Sequence, residues 1–159
     1  MKANEVQEVI EDTQKNKYLT FVLGKENYGF EIQYVTEIVG MQEITDVPDV
    51  PRSIQGVINL RGKIIPVMDA RTKFGKDKIA YSDRTCIVVV EVKGLLIGVI
   101  VDAVSEVLTI EEDQMVPPPS IINTGSQYIK NIGKSQDIVT LLLDIESLLN
   151  QDELEYISN

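Results

Sequence analysis

Catalysis near neutral pH draws mostly on histidine, an activated cysteine or serine, paired carboxylates, or a glycine-rich loop that cradles phosphate. The 159-residue chain contains no histidine. Its absence removes Ser-His-Asp and Cys-His nucleophile pairs, imidazole acid–base chemistry and imidazole metal ligands. The single cysteine, Cys86, opens the apolar run Cys86-Ile87-Val88-Val89-Val90 and reads as a small core residue. One cysteine allows no intrachain disulfide, which fits a reducing cytoplasm. Neither GxxxxGK[ST] nor GxGxxG occurs. Carboxylates are plentiful, but clusters such as Glu111-Glu112-Asp113 fall where turns or solvated faces are expected. The enzymatic reading left open is one that uses carboxylates, as a glycosidase does, or lysine. The residues imply no cofactor and no metal.

Charge points the same way. The net charge is −10 and the pI about 4.5, a poor match to nucleic acid or anionic membrane. No apolar run reaches the roughly 20 residues that span a bilayer, and Met1 to Lys17 is too polar for a secretory signal. The charge is uneven. Residues 52–84 hold eight basic residues (Arg52, Arg61, Lys63, Arg71, Lys73, Lys76, Lys78 and Arg84) against Asp69, Asp77 and Asp83. That segment is either a set of ordinary solvated edges or a basic face that docks an acidic partner.

The elements that would position these residues are mostly strands. Residues 1–16 are polar and predict a frayed helix or flexible lead-in. Tyr18–Ile32 reads as a hairpin turning at Gly24 to Asn27, and Val35–Val39 as a further strand. Asp46–Pro51 is a loop whose Pro51 suits the first position of a helical turn. Two apolar strands then flank Arg61-Gly62, where Gly62 supplies positive φ. Pro66 implies an edge strand, or one whose N–H side faces away from the ladder. Asp69 is placed to cap a short helix, Ala70 to Phe74, closed by Gly75. Cys86–Val92 and Leu95–Val101 form a hairpin through Lys93-Gly94, and Val104–Ile110 is another strand. Pro117-Pro118-Pro119 must be extended, and Gly125-Ser126 reads as a turn. A last hairpin turns within Gly133 to Gln136, and Asp144 caps one helix from Ile145 to about Tyr156. Ile65-Pro66-Val67-Met68-Asp69-Ala70 echoes Thr140-Leu141-Leu142-Leu143-Asp144-Ile145: each is an apolar strand, a capping Asp, then a helix. The echo suggests two similar halves, each a small barrel closed by a helix, in an all-β chain of about ten strands.

Five passages, in order, resemble the CheW family over about Tyr18 to Leu149: Tyr28-Gly29-Phe30; Val35-Thr36-Glu37-Ile38; Ile44-Thr45 with Val47-Pro48, continuing to Gly56-Val57-Ile58-Asn59-Leu60-Arg61-Gly62; Pro66-Val67 and Asp69; and Gly98 to Val107, followed by Leu142-Leu143-Asp144-Ile145. Met68-Asp69-Ala70 departs from a commoner Ile/Val-Asp-Leu, and the acidic N-terminal extension has no counterpart.

The resemblance implies two intertwined five-stranded SH3-like β-barrels with short helices, one at the C-terminus. It divides the chain into a flexible extension (1–16), the CheW-like domain (17–150), and a helix end with tail (151–159). It implies a cytoplasmic, non-enzymatic scaffold recruited to membrane receptor arrays. Such a scaffold couples the cytoplasmic tips of chemoreceptors to the histidine kinase CheA. The kinase's regulatory domain would meet an apolar patch of Leu19, Ile32, Val35 and Ile38 with the charges Glu37 and Arg61. Leu19 and Ile32 fit a barrel core equally well. Arg61, in the signature turn Asn59-Leu60-Arg61-Gly62, would reach across to Glu37, the alternative being two unrelated solvated charges. A groove between the barrels would take the receptor's helical tip on Val99, Val101, Val104 and Val107, positions that also suit ordinary barrel core. The competing non-enzymatic reading is a generic SH3-like adaptor for an unrelated helix or peptide.

Overall fold

The structure, a computed structural model, describes residues 14–119 and 128–158. In chain order its strands are β1 (Lys17–Leu23), β2 (Glu26–Glu31), β3 (Val35–Gly40), β4 (Ile54–Leu60), β5 (Lys63–Asp69), β6 (Cys86–Val92), β7 (Leu95–Val101), β8 (Ala103–Thr109), β9 (Met115–Val116), β10 (Ile129–Ser135) and β11 (Ile138–Leu143). Helix α1 (Ala70–Lys73) follows β5, and α2 (Ile145–Leu148) and α3 (Gln151–Ser158) follow β11. One sheet runs β8-β1-β2-β11-β10-β9 and the other β3-β6-β7-β5-β4. Apart from the two-residue β9, the sheets correspond strand for strand, and each is an SH3-like barrel with one parallel pair, β2 with β11 and β7 with β5.

The chain enters the two barrels in a permuted order. Barrel 2 is continuous, β3 to β7, whereas barrel 1 combines the leading hairpin β1–β2 with the later β8, β10 and β11. The echo around Asp69 and Asp144 marks this correspondence. Asp69 accepts from the N–H groups of Arg71 and Thr72 at the start of α1, and Asp144 from that of Glu146 at the start of α2. β-Bulges repeat as well: one extra residue, Gln55 in β4 and Lys130 in β10, interrupts the pairing to β5 and β11.

Tight turns set the register. Arg61-Gly62 and Lys93-Gly94 each join their strands with both residues at positive φ, the conformation whose twist matches a hairpin. The last hairpin turns at Gln136-Asp137, not within Gly133 to Gln136. Gly133 lies inside β10, where an added Cβ would stand 3.0 Å from Ile110. Pro66 sits in a central strand rather than an edge, one residue before β5 begins its parallel pairing with β7. Pro51 starts a turn closed by the Ile54 N–H donating to its carbonyl, not a helix. The single C-terminal helix expected from Ile145 onward is two helices. It breaks at Leu149-Asn150 because the Asn150 side chain accepts from the Glu153 N–H while Glu153 accepts from the Asn150 N–H, a reciprocal cap that starts α3 afresh. Most of the N-terminal extension and Gly125-Ser126 lie outside the described residues. Asn16, assigned to that extension, is tied to barrel 1 by the Ile110 N–H donating to its carbonyl.

Among the described residues the apolar side chains form three clusters. Ile58, Leu60, Ile65, Val67, Ile87, Val89 and Ile100 fill barrel 2, and Tyr18, Ile110 and Leu142 belong to barrel 1. The largest cluster draws on both sheets: Leu19, Phe21, Leu23 and Phe30 from barrel 1 pack with Met68, Val88, Val90, Val99 and Val101 from barrel 2. Strands β1 and β6 therefore bury both faces, one into their own barrel and one into the seam between barrels.

Candidate functional site

The edge strand β3 and the turn between β4 and β5 build the site. Arg61, at the first turn position, reaches over to β3 and its guanidinium donates to Glu37 Oε2. The turn is held from beneath by Asn59, whose Oδ1 accepts the Gly62 N–H at 2.9 Å. The Arg61 side chain is 69% exposed and that of Glu37 32%, so the pair is a feature of the surface. On the opposite face of β3, Ile38 is 43% exposed, a large aliphatic side chain turned to solvent. The pair borders a depression of about 590 Å³ in which Leu60, Ile65, Val89 and Leu96 mix with Thr36, Lys63 and Glu91. A surface charge pair with mixed apolar and charged surroundings is a composition that protein-docking surfaces share.

A bulge at Thr36 gives this edge its shape. Val35 pairs with Val90 and Glu37 with Val89, leaving Thr36 over, and the Thr36 hydroxyl donates to the Val89 carbonyl at 3.0 Å. Barrel 1 repeats the arrangement on β8. There Val104 pairs with Phe21 and Val107 with Leu19, and Ser105 and Glu106 bulge past Thr20. The buried Thr20 hydroxyl donates to the Glu106 carbonyl at 2.7 Å and accepts from its N–H at 3.2 Å. Val35-Thr36-Glu37-Ile38 and Val104-Ser105-Glu106-Val107 thus occupy equivalent positions, and Val107, like Ile38, is an exposed aliphatic at 52%. The repeat was present in the sequence as V-[ST]-E-[IV]. The barrels differ in the turn: Gln136 stands where Arg61 would be, so barrel 1 brings no arginine to Glu106.

The expected docking residues divide sharply. Glu37 and Arg61 are brought together, Ile38 is exposed on the opposite face of the same strand, Ile32 and Val35 are half-buried near that edge, and Val104 and Val107 share β8. Leu19, Val99 and Val101 are corrected: they are 2%, 1% and 1% exposed and belong to the cluster that joins the barrels. The space between the barrels at these positions is packed core. In the signature turn, Leu60 is also core, whereas Asn59 and Gly62 are exposed.

Part of the basic segment is already engaged within the chain. Arg71 grips Asp102 with two hydrogen bonds of 2.8 and 2.7 Å, Lys73 pairs with Glu153, and Lys76 with Glu26, each across to an acid outside the segment. The Arg71 hydrogen bonds hold the Asp102 carboxyl below the usual carboxylate range, helped by the Gly24 N–H. Burial pushes the Tyr81 phenol up to about 12, with the Asp69 carboxylate adding to the shift. Glu111, Glu112 and Asp113 form the exposed turn expected of them. No helix among the described residues is long and apolar enough to cross a membrane.

Comparison with known proteins gives a consistent picture. The model of the CheW-like domain matches residues 17–153. A chemotaxis protein CheW from Klebsiella aerogenes is 34% identical over 149 residues, covering 93% of this chain and 90% of that protein. One from Treponema pallidum is 30% identical, covering 89% and 86%. The crystal structure of the scaffolding protein TtCheW from Thermoanaerobacter tengcongensis superposes with a TM-score of 0.80 at 38% identity, covering 87% of this chain and 96% of that one.

Proposed function

The chain belongs to the CheW family, and from that membership we infer that it is a non-enzymatic scaffold that couples chemoreceptors to the histidine kinase CheA. Its action is to hold partners in register. It works in the cytoplasm and is recruited to membrane receptor arrays.

The observation that carries the reading is the edge strand β3, with the Glu37–Arg61 pair on one face and exposed Ile38 on the other. The regulatory domain of CheA docks on this edge. Ile38 supplies apolar area, Val35 and Ile32 extend it, and the charge pair fixes the orientation of the turn. The receptor's helical tip meets β8 through Val104 and Val107, an apolar strip suited to one face of an amphipathic helix.

Calorimetric titration of the isolated CheA regulatory domain tests the assignment, with Arg61→Ala as the paired variant and circular dichroism confirming that both are folded. Saturable one-to-one binding is expected, weakened in the variant. Absence of heat from the folded protein at roughly tens of micromolar, equivalent to about −6 to −7 kcal/mol, would refute the kinase assignment and favour a generic adaptor.

A further inference from the structure

Among the described side chains of α3 one is fully buried, and it is an acid. Glu153 is 0% exposed. Its carboxylate accepts from the Ser53 hydroxyl, from the Asn150 N–H at 2.8 Å and from Lys73 Nζ at 2.5 Å. Lys73 is itself 4% exposed at the side chain and stands 4.9 Å from the centre of the Tyr128 ring. Leu154, Tyr156 and Ile157 are only half-buried at the margin of the large core. The donors Ser53 and Lys73 flank β4 and β5 of barrel 2, whereas α3 extends from the last strand of barrel 1.

An eight-residue helix is not stable by itself in water, so α3 persists through what docks it. Half-buried aliphatic contacts tolerate sliding. A buried ion pair does not, because separating it strands a charge in a poorly solvated site. The docking is therefore decided at Glu153. We propose that α3 is a latched strap: the Glu153 carboxylate, seated among Lys73, Ser53 and Asn150, is its catch, and opening that catch frees the strap from barrel 2 while both barrels stay folded.

Hydrogen exchange read by mass spectrometry on the full chain tests this. In the unaltered protein, residues 151–158 should exchange at least about tenfold faster than β6 and β7, through an opening that leaves those strands protected. Glu153→Gln should accelerate exchange in 151–158 by about tenfold more and leave the strands unchanged. Lys73→Met, which leaves the Asn150 and Ser53 hydrogen bonds in place and strands the carboxylate, should accelerate exchange in 151–158 as well. The proposal is overturned if 151–158 exchange only together with the strands, if Glu153→Gln leaves their rate unaltered or unfolds the whole chain, or if Lys73→Met leaves it unaltered.

Discussion

Gly29 and Gly98 hold the same place in the two barrels. Each lies on the strand that runs parallel to a barrel's closing strand, Gly29 beside Leu142 and Gly98 beside Val67. A Cβ on Gly98 would stand 2.7 Å from Ile87 Cγ2 and 2.9 Å from Val67 Cγ1, two stiff β-branched neighbours. On Gly29 it would meet Leu142 Cδ2 at 3.2 Å and Tyr18 Cβ at 3.3 Å, a milder crowding that the leucine tip can relieve. Gly98→Ala should therefore cost about 1–3 kcal/mol and Gly29→Ala less, as read from urea unfolding midpoints. Equal losses would mean that the barrels relax alike, against the packing described.

The two capping aspartates predict a second asymmetry. Asp69 is 3% exposed, accepts from the Arg71 N–H at 2.9 Å, and takes the Tyr81 hydroxyl at 3.2 Å. Asp144 is half-exposed and serves the Glu146 N–H at 3.1 Å and the Ser147 hydroxyl at 2.7 Å. Loss of an N-cap costs about 1 kcal/mol, and at Asp69 a partly buried phenol also loses its acceptor. Asp69→Ala should lower the melting temperature more than Asp144→Ala, in paired calorimetric scans.

Acid should loosen the contact of α1 with Asp102. The Arg71 guanidinium keeps the Asp102 carboxyl below its ordinary range in the folded chain. A carboxyl whose folded pKa is lowered adds stability above its unfolded value, near 3.9, and that stability is lost as pH falls through the folded value. Asp102→Asn should be less stable than the unaltered protein at neutral pH, and the difference should shrink as the pH drops below about 4. Denaturant unfolding of both proteins across that range checks the sign.

Charge reversal separates two roles for the Glu37–Arg61 pair. The pair is largely exposed, so Glu37→Arg alone should change stability by no more than about 1 kcal/mol. It should still weaken binding of the CheA regulatory domain. Adding Arg61→Glu restores the pair with its poles exchanged. Recovery of binding would mean that the pair orients the turn, whereas persistent loss would mean that the partner reads the charges themselves.

Turn chemistry and capping were the legible part of the fold. Arg61-Gly62 and Lys93-Gly94 announce their hairpins because glycine at the second position admits positive φ, and Asp69 and Asp144 announce helices. Gln136-Asp137 announces nothing, since neither residue is a strong turn former, and the nearby Gly133 drew the expectation to the wrong place. Asn150-x-x-Glu153 is a capping signature that the helical spacing of Leu148, Leu149 and Leu154 concealed. The contact between Glu37 and Arg61 came from family resemblance, because no local pattern ties residues 24 positions apart. Leu19, Val99 and Val101 could not be placed by alternation. Period two separates two faces of a strand without saying that both are buried, and in β1 and β7 both are, because a second barrel covers the outer face.

The permuted strand order also orders events during synthesis. Barrel 2 needs nothing beyond Val101, so all five of its strands are synthesised before β8 is begun. Barrel 1 cannot close until Leu143 has emerged, although its first hairpin was made before any of barrel 2. Of the neighbours that Leu19, Phe21 and Phe30 have in the seam, Met68, Val88, Val90, Val99 and Val101 of barrel 2 are made first. The hairpin β1–β2 is therefore made before barrel 2 but gains its full set of barrel neighbours only with strands made after it.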